Sequence, residues 1–207
     1  MLKIRLDKVG KRFNRGWVFK GISCEIKPDE PMVVLGSNGS GKSTLLRIIS
    51  GSLTPSHGEI FYELDGHATP VEELYQNVSI AAPYLDLIQE YTLEEHIEFH
   101  FKFKQLVEGV ALDHVPDMLN LHENKSKPLK QYSSGMVQRV KLGLAILSKT
   151  PMLLLDEPST NLDAKGIVWY NELLKQFAVN RTVVICSNER TEEYQFCVQE
   201  LSMENYK

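Results

Sequence analysis

The sequence predicts an α/β fold: a mostly parallel sheet, an antiparallel β part at the N-terminus, and a helical subdomain inserted between strands. Three features carry this reading. Residues 2–25 alternate apolar and polar side chains. Met32–Leu35 and the stretches 153–155 and 182–186 are short, continuous apolar runs. The segment between 84 and 145 instead carries helix signals, with apolar residues three and four apart.

Along the chain, residues 2–25 suit an antiparallel ladder broken at Asn14-Arg15-Gly16. Met32–Leu35 is apolar throughout, as a parallel strand covered on both faces must be. A glycine-rich loop follows, then Leu45-Leu46-Arg47-Ile48-Ile49, which has helical character and stops at Gly51. Thr92-Leu93-Glu94-Glu95 is a Thr-x-x-Glu capping box that opens a helix over 92–105. Glu94, Glu95 and Glu98 therefore read as a capping and solvent-facing set. His96 and His100 lie four apart on the same helix with no third metal ligand, and read as a solvated face. A second helical stretch is expected around 117–122, before a Lys-rich loop at 124–130. The next helix sets Val137, Val140, Leu144 and Leu147 on one apolar face. The apolar run at 153–155 returns the chain to the sheet. A helix over about 165–177 and a strand at 182–186 complete the core. Residues 1–207 read as one domain, with the helical insertion at 84–145 and no internal repeat.

The strongest chemical signal is Gly36-Ser37-Asn38-Gly39-Ser40-Gly41-Lys42-Ser43, a match to G-x-x-x-x-G-K-[ST] between a buried strand and a helix. Glycines let backbone N–H groups curl around phosphate oxygens without a side chain in the way. The helix starting near Lys42 and Thr44 aims its positive dipole end at the same phosphates. Lys42 supplies a point charge to the β- and γ-phosphates, and the Ser43 hydroxyl is placed to ligate Mg²⁺. The core is thus that of a P-loop NTPase. The second signal is Leu153-Leu154-Leu155-Asp156-Glu157-Pro158. The run from Met152 puts Asp156 at the carboxyl end of a buried strand, where ligands bind in open α/β sheets. Asp156 is the expected Mg²⁺ partner, and Glu157 the carboxylate that polarises an attacking water.

The order P-loop, Ser133-Ser134-Gly135, Asp156-Glu157-Pro158, Asn161-Leu162-Asp163 resembles the ATPase domains of ABC transporters over essentially the whole chain. The family signature, Leu-Ser-Gly-Gly-Gln, is represented by Tyr132-Ser133-Ser134-Gly135-Met136, with Gln138-Arg139 shortly after. The resemblance implies that Ser133 and Gly135 face the ATP of a second subunit, and that two chains, alike or merely similar, sandwich two nucleotides. It makes Asn161-Leu162-Asp163 a D-loop across that interface. It also implies an aromatic stacked on adenine: Phe13, with Trp17 and Phe19 as competitors. Two positions depart from the family. Ile80-Ala81-Ala82-Pro83-Tyr84, at the entry to the insertion, has no Gln, although Gln89 lies nearby. Asn188 stands where the family has a His on the γ-phosphate; it can donate a hydrogen bond but holds no proton or charge at neutral pH.

The net charge of −4 and the lack of a Lys/Arg cluster argue against nucleic acid as the main partner. The N-terminus has no signal-peptide core and the apolar runs are too short to cross a bilayer. The expectation is therefore a cytoplasmic protein without direct membrane insertion, held on the inner face of the membrane by a separate permease. Cys24, Cys186 and Cys197 have no ligand spacing and read as reduced thiols. The chain runs only briefly past its last expected strand, which suggests a short, export-type ATPase without an appended regulatory domain. The alternative is a degenerate ATP-binding module of a heterodimer with low turnover, although Glu157 opposes it. A non-transport ABC ATPase would need tandem domains or a long coiled-coil insertion.

Overall fold

The structure, a computed structural model, describes residues 1–14 and 16–207. Arg15, in the expected break at Asn14-Arg15-Gly16, lies outside the described residues. Strands β1 (Leu2–Phe13) and β2 (Gly16–Ile26) pair antiparallel, Ile4 opposite Ile26 and Leu6 opposite Cys24. The alternation of Leu2, Ile4 and Leu6 buries one face of β1, as a half-covered strand requires. Strand β3 (Met32–Leu35) leads through the glycine-rich loop into α1 (Lys42–Ile49). Next come β4 (His57–Leu64), β5 (His67–Ala68), α2 (Leu74–Asn77) and β6 (Val78–Ala81). Helices α3 (Leu93–His100), α4 (Val115–Met118) and α5 (Ser134–Ile146) then leave the sheet. The expected insertion at 84–145 falls within that excursion. Strand β7 (Met152–Asp156), helix α6 (Ala164–Phe177), β8 (Thr182–Ser187) and β9 (Gln199–Ser202) follow.

Two sheets result. One is antiparallel, in the order β2-β1-β4-β5. The other has the order β6-β7-β8-β3-β9 and is parallel throughout. The alternation of β7 and β8 divides the interior. Met152, Leu154, Val184 and Cys186 face α1 and the antiparallel sheet. Leu153, Leu155, Val183 and Ile185 face α5 and α6. All of these side chains are fully buried. Leu154→Ala should therefore cost about 2–5 kcal/mol, read as a shift in the denaturant midpoint; a loss under roughly 1 kcal/mol would mean the site collapses around the cavity.

Several expectations change. The helix at 92–105 ends at His100, because Phe103 and Lys104 both donate backbone N–H groups to the His100 carbonyl and turn the chain. The helix around 117–122 shrinks to Val115–Met118, with Asn120 in a left-handed conformation (φ 56°). Strand β9 extends the sheet beyond the last expected strand. His96 and His100 are not a solvated face. His96 is 7% exposed and its Nε2 accepts the Ile88 N–H at 3.2 Å. His100 Nε2 meets the Ser148 hydroxyl at 2.9 Å, and burial, then the nearby His96 and Lys104, press its pKa down to about 4. Both rings are neutral packing groups at pH 7.

Candidate nucleotide-binding site

Parallel register brings the candidate residues to one edge. Leu35, the last residue of β3, lies opposite Ser187 of β8, and Asp156 of β7 lies opposite Cys186. The glycine-rich loop, Asp156-Glu157 and Asn188 thus leave three adjacent strands at their carboxyl ends. The Glu157 N–H extends the ladder by one bond, to the Cys186 carbonyl at 2.9 Å. Glu157 itself is left-handed, φ 47°, which turns its side chain out of the strand line.

Gly41 is the N-cap of α1 and has φ 105°. A Cβ there would sit 2.7 Å from Val18 Cγ1 and 3.1 Å from Phe19 Cδ1, so only glycine fits. Ser37, Asn38 and Gly39 form the exposed rim of the loop, while Gly36 and Ser40 are buried beneath it. Lys42 is 4% exposed, and its Nζ donates to the carbonyls of Gly36 at 2.7 Å and Ser37 at 3.2 Å. The same ammonium lies 3.9 Å from Glu157 Oε1. Ser43 and Thr44 continue the first turn of α1.

Asp156 is 2% exposed, and neither carboxylate oxygen has a hydrogen-bond partner among the described residues. Burial raises its pKa; the adjacent Ser43 hydroxyl opposes the rise, Glu157 reinforces it and Lys42 opposes it. A buried carboxylate with two free acceptors beside a serine hydroxyl suits a hard divalent cation such as Mg²⁺. Where a glutamine was sought, Tyr84 stands near Asp156. Burial first, and that carboxylate second, push its phenol up to about 12. Gln89 is exposed and donates only to the Leu87 carbonyl at 3.4 Å. Asn188 is exposed directly after the buried Ser187.

The aromatic question narrows. Phe19 is fully buried and cannot stack on a ligand. Phe13 and Trp17 remain, 51% and 40% exposed, with Lys11 over the first ring and Lys20 and Arg12 over the second.

Ser133 caps α5 by accepting the Met136 N–H at 3.3 Å. Gly135 is pressed against the Asn161 backbone: a Cβ would meet the Asn161 carbonyl at 2.8 Å. Gln138 Nε2 donates to the Pro158 carbonyl at 2.9 Å, and Arg139 stands 3.8 Å from Asp163. The start of α5 is therefore bonded to the segment that follows Glu157.

A family model described as ABC transporter matches residues 19–160, more than half of the chain. The chain belongs to the ABC transporter family. Its α/β fold with a P-loop edge is that of the solved cassettes. The uncharacterized ABC transporter ATP-binding protein YcbN of Bacillus subtilis (strain 168) is 30% identical over 172 residues, covering 83% of this chain and 56% of YcbN. The cytochrome c biogenesis ATP-binding export protein CcmA of Haemophilus influenzae is 26% identical over 206 residues, covering 99% and 97%. A solved dimeric structure of MJ0796, described as a bacterial ABC transporter cassette, superposes with a TM-score of 0.79 at 25% identity, covering 97% and 94%. The chain thus spans little more than half of YcbN and nearly all of CcmA. No helix of the described residues is long and apolar enough to cross a membrane.

The sequence reading missed Ser159, Ser187 and Glu193. Glu193 is fully buried and binds both serines. Only a polar residue at the end of an apolar strand, Ser187, hinted at them.

Proposed function

We propose that this cassette binds ATP with Mg²⁺ and hydrolyses it to power transport through a separate membrane permease. The observation that carries the proposal is Glu157 at the strand edge, 3.9 Å from Lys42 and next to the unpartnered Asp156. ATP is cradled by Gly36, Ser37, Asn38, Gly39, Ser40, Gly41, Lys42, Ser43 and Thr44, with Phe13 under the adenine. The approach of the phosphates takes Lys42 from the Gly36 and Ser37 carbonyls to the β- and γ-oxygens. Ser43 and Asp156 would hold Mg²⁺, which when bound neutralises charge on those oxygens. Glu157 accepts a hydrogen bond from the attacking water, drawing its proton as the oxygen closes on the γ-phosphorus. The bond from that phosphorus to the bridging oxygen breaks, and ADP and inorganic phosphate leave. Asn188 donates to a γ-oxygen.

Ser133 at the N-cap of α5, with Gly135 in its first turn, presents a helix N-terminus suited to a phosphate, which supports a dimer in which they meet the partner's ATP. A groove of about 270 Å³ lined by Ala82, Leu85, Leu87, His96 and Lys141 supports permease docking at the entry to the helical excursion, where Tyr84, Leu85 and Ile88 are exposed. This arrangement keeps the protein on the cytoplasmic face of the membrane.

The deciding experiment is steady-state ATP hydrolysis by the purified chain beside Asn188→His. Turnover by the native chain, changed less than about tenfold in Asn188→His, establishes that the amide suffices. ATP binding without turnover, with activity gained in Asn188→His, would replace this reading by a degenerate module.

A further inference from the structure

We infer that Glu193 is a positioning residue that locks the loop carrying Asn188 to the segment leading out of Glu157, so that both move as one body. Glu193 closes a 3-10 turn, Thr191–Glu193, and is fully buried. Its Oε1 accepts the Ser159 backbone N–H at 3.0 Å and the Ser159 hydroxyl at 2.6 Å. Its Oε2 accepts the Ser187 hydroxyl, and its backbone carbonyl accepts the Tyr170 hydroxyl at 3.1 Å. Arg190 completes the knot: its N–H donates to Ser187 Oγ at 3.2 Å and its Nη1 to Ser159 Oγ at 3.3 Å. Glu193 has no ion-pair partner within 4.0 Å among the described residues, so three hydrogen bonds, one from the end of β8 and two from the segment after Glu157, are what offset its desolvation.

The placement of the two serines gives the knot its meaning. Ser187 immediately precedes Asn188, and Ser159 lies two residues after Glu157. Beyond Ser159, the Asn161 carbonyl is packed against Gly135 at the start of α5. A displacement of the Asn188 loop is therefore passed through Glu193 to Ser159, and on to the Ser133 region. The inference rests on the proposed ATPase reading for its consequence, but its geometry does not.

The test uses the full chain as Glu193→Gln, Glu193→Ala and Ser159→Ala. Three quantities are read: binding of a fluorescent ATP analogue, kcat and KM, and hydrogen exchange of the nucleotide-free protein. In Glu193→Ala, kcat should fall about 10²-fold with analogue affinity and KM within about threefold of native. Glu193→Gln, which keeps the shape and one acceptor, should recover most of that loss. Exchange should rise in 157–163 and 187–193 together. Unchanged kcat in both Glu193→Ala and Ser159→Ala, or loosening confined to 187–193, would overturn the inference. If Glu193→Ala fails to fold, Ser159→Ala decides: it removes the hydroxyl bond to Glu193 and should lower kcat and raise exchange in both segments. If the native chain binds but does not hydrolyse ATP, the ATPase reading falls, and the exchange measurement still decides the lock.

Discussion

Glu157→Gln should lower ATP turnover by about 10²–10³-fold while leaving ATP affinity nearly unchanged. The amide keeps the size of the carboxylate and can hold the left-handed backbone, φ 47°, that the carboxylate holds. It keeps the backbone bond to Cys186 as well, since that bond uses only the N–H. What it loses is the negative charge that draws a proton from the attacking water. Binding contacts made by the P-loop stay in place, so ATP should accumulate unhydrolysed and hold two chains together. Gel filtration with Mg·ATP should show a dimer in the variant and mostly monomer for the native chain at steady state. Hydrolysis within about twofold of native would remove Glu157 from the chemistry, because loss of a general base is worth 10²-fold or more.

Asp156→Asn should act in opposite directions on stability and activity. Among the described residues the native carboxylate is buried without a hydrogen-bond partner on either oxygen, an arrangement that costs free energy in the absence of a cation. Neutralising it should raise the melting temperature of the nucleotide-free protein by about 2–4 °C, the equivalent of roughly 1 kcal/mol in a chain of this length. Hydrolysis should nonetheless fall by about 10²-fold or more, and the stabilisation that Mg·ATP adds should largely vanish. A variant that melts lower than the native chain would mean that the carboxylate has partners in solution. A variant with native Mg²⁺ dependence would mean that the cation is held elsewhere.

The P-loop and Asp156-Glu157 were legible because each sits at the end of an all-apolar run. Such runs state their own burial, and the first residues past them are fixed in space by the strand. Strands β4, β6 and β9 were not legible. His57–Leu64 is about half polar, Gln199–Ser202 has a single apolar residue, Leu201, and Val78–Ala81 is four residues long with a serine inside. Their pairing is decided by neighbours far along the chain, which local pattern does not record. The histidines failed for the same reason. His96 and His100 look like a polar helix face until Ile88 and Ser148 arrive from elsewhere to bond them. Glu193 was hidden more thoroughly. In Thr191-Glu192-Glu193 nothing distinguishes one acid from the other, and only the fold puts Ser159 and Ser187 within reach of the second.

The central strands act as a party wall between two rooms, with residue parity deciding which room a substitution disturbs. Even-numbered positions in β7 and β8 look toward α1, the helix that begins in the P-loop, and odd-numbered ones toward α5 and α6. Enlarging Leu154 would therefore jostle the floor of the phosphate cradle, whereas the same change at Leu153 would tilt the helices that present Ser133. Neighbouring leucines with equal burial and equal volume would leave different fingerprints, one in nucleotide affinity and the other in the assembly of two chains.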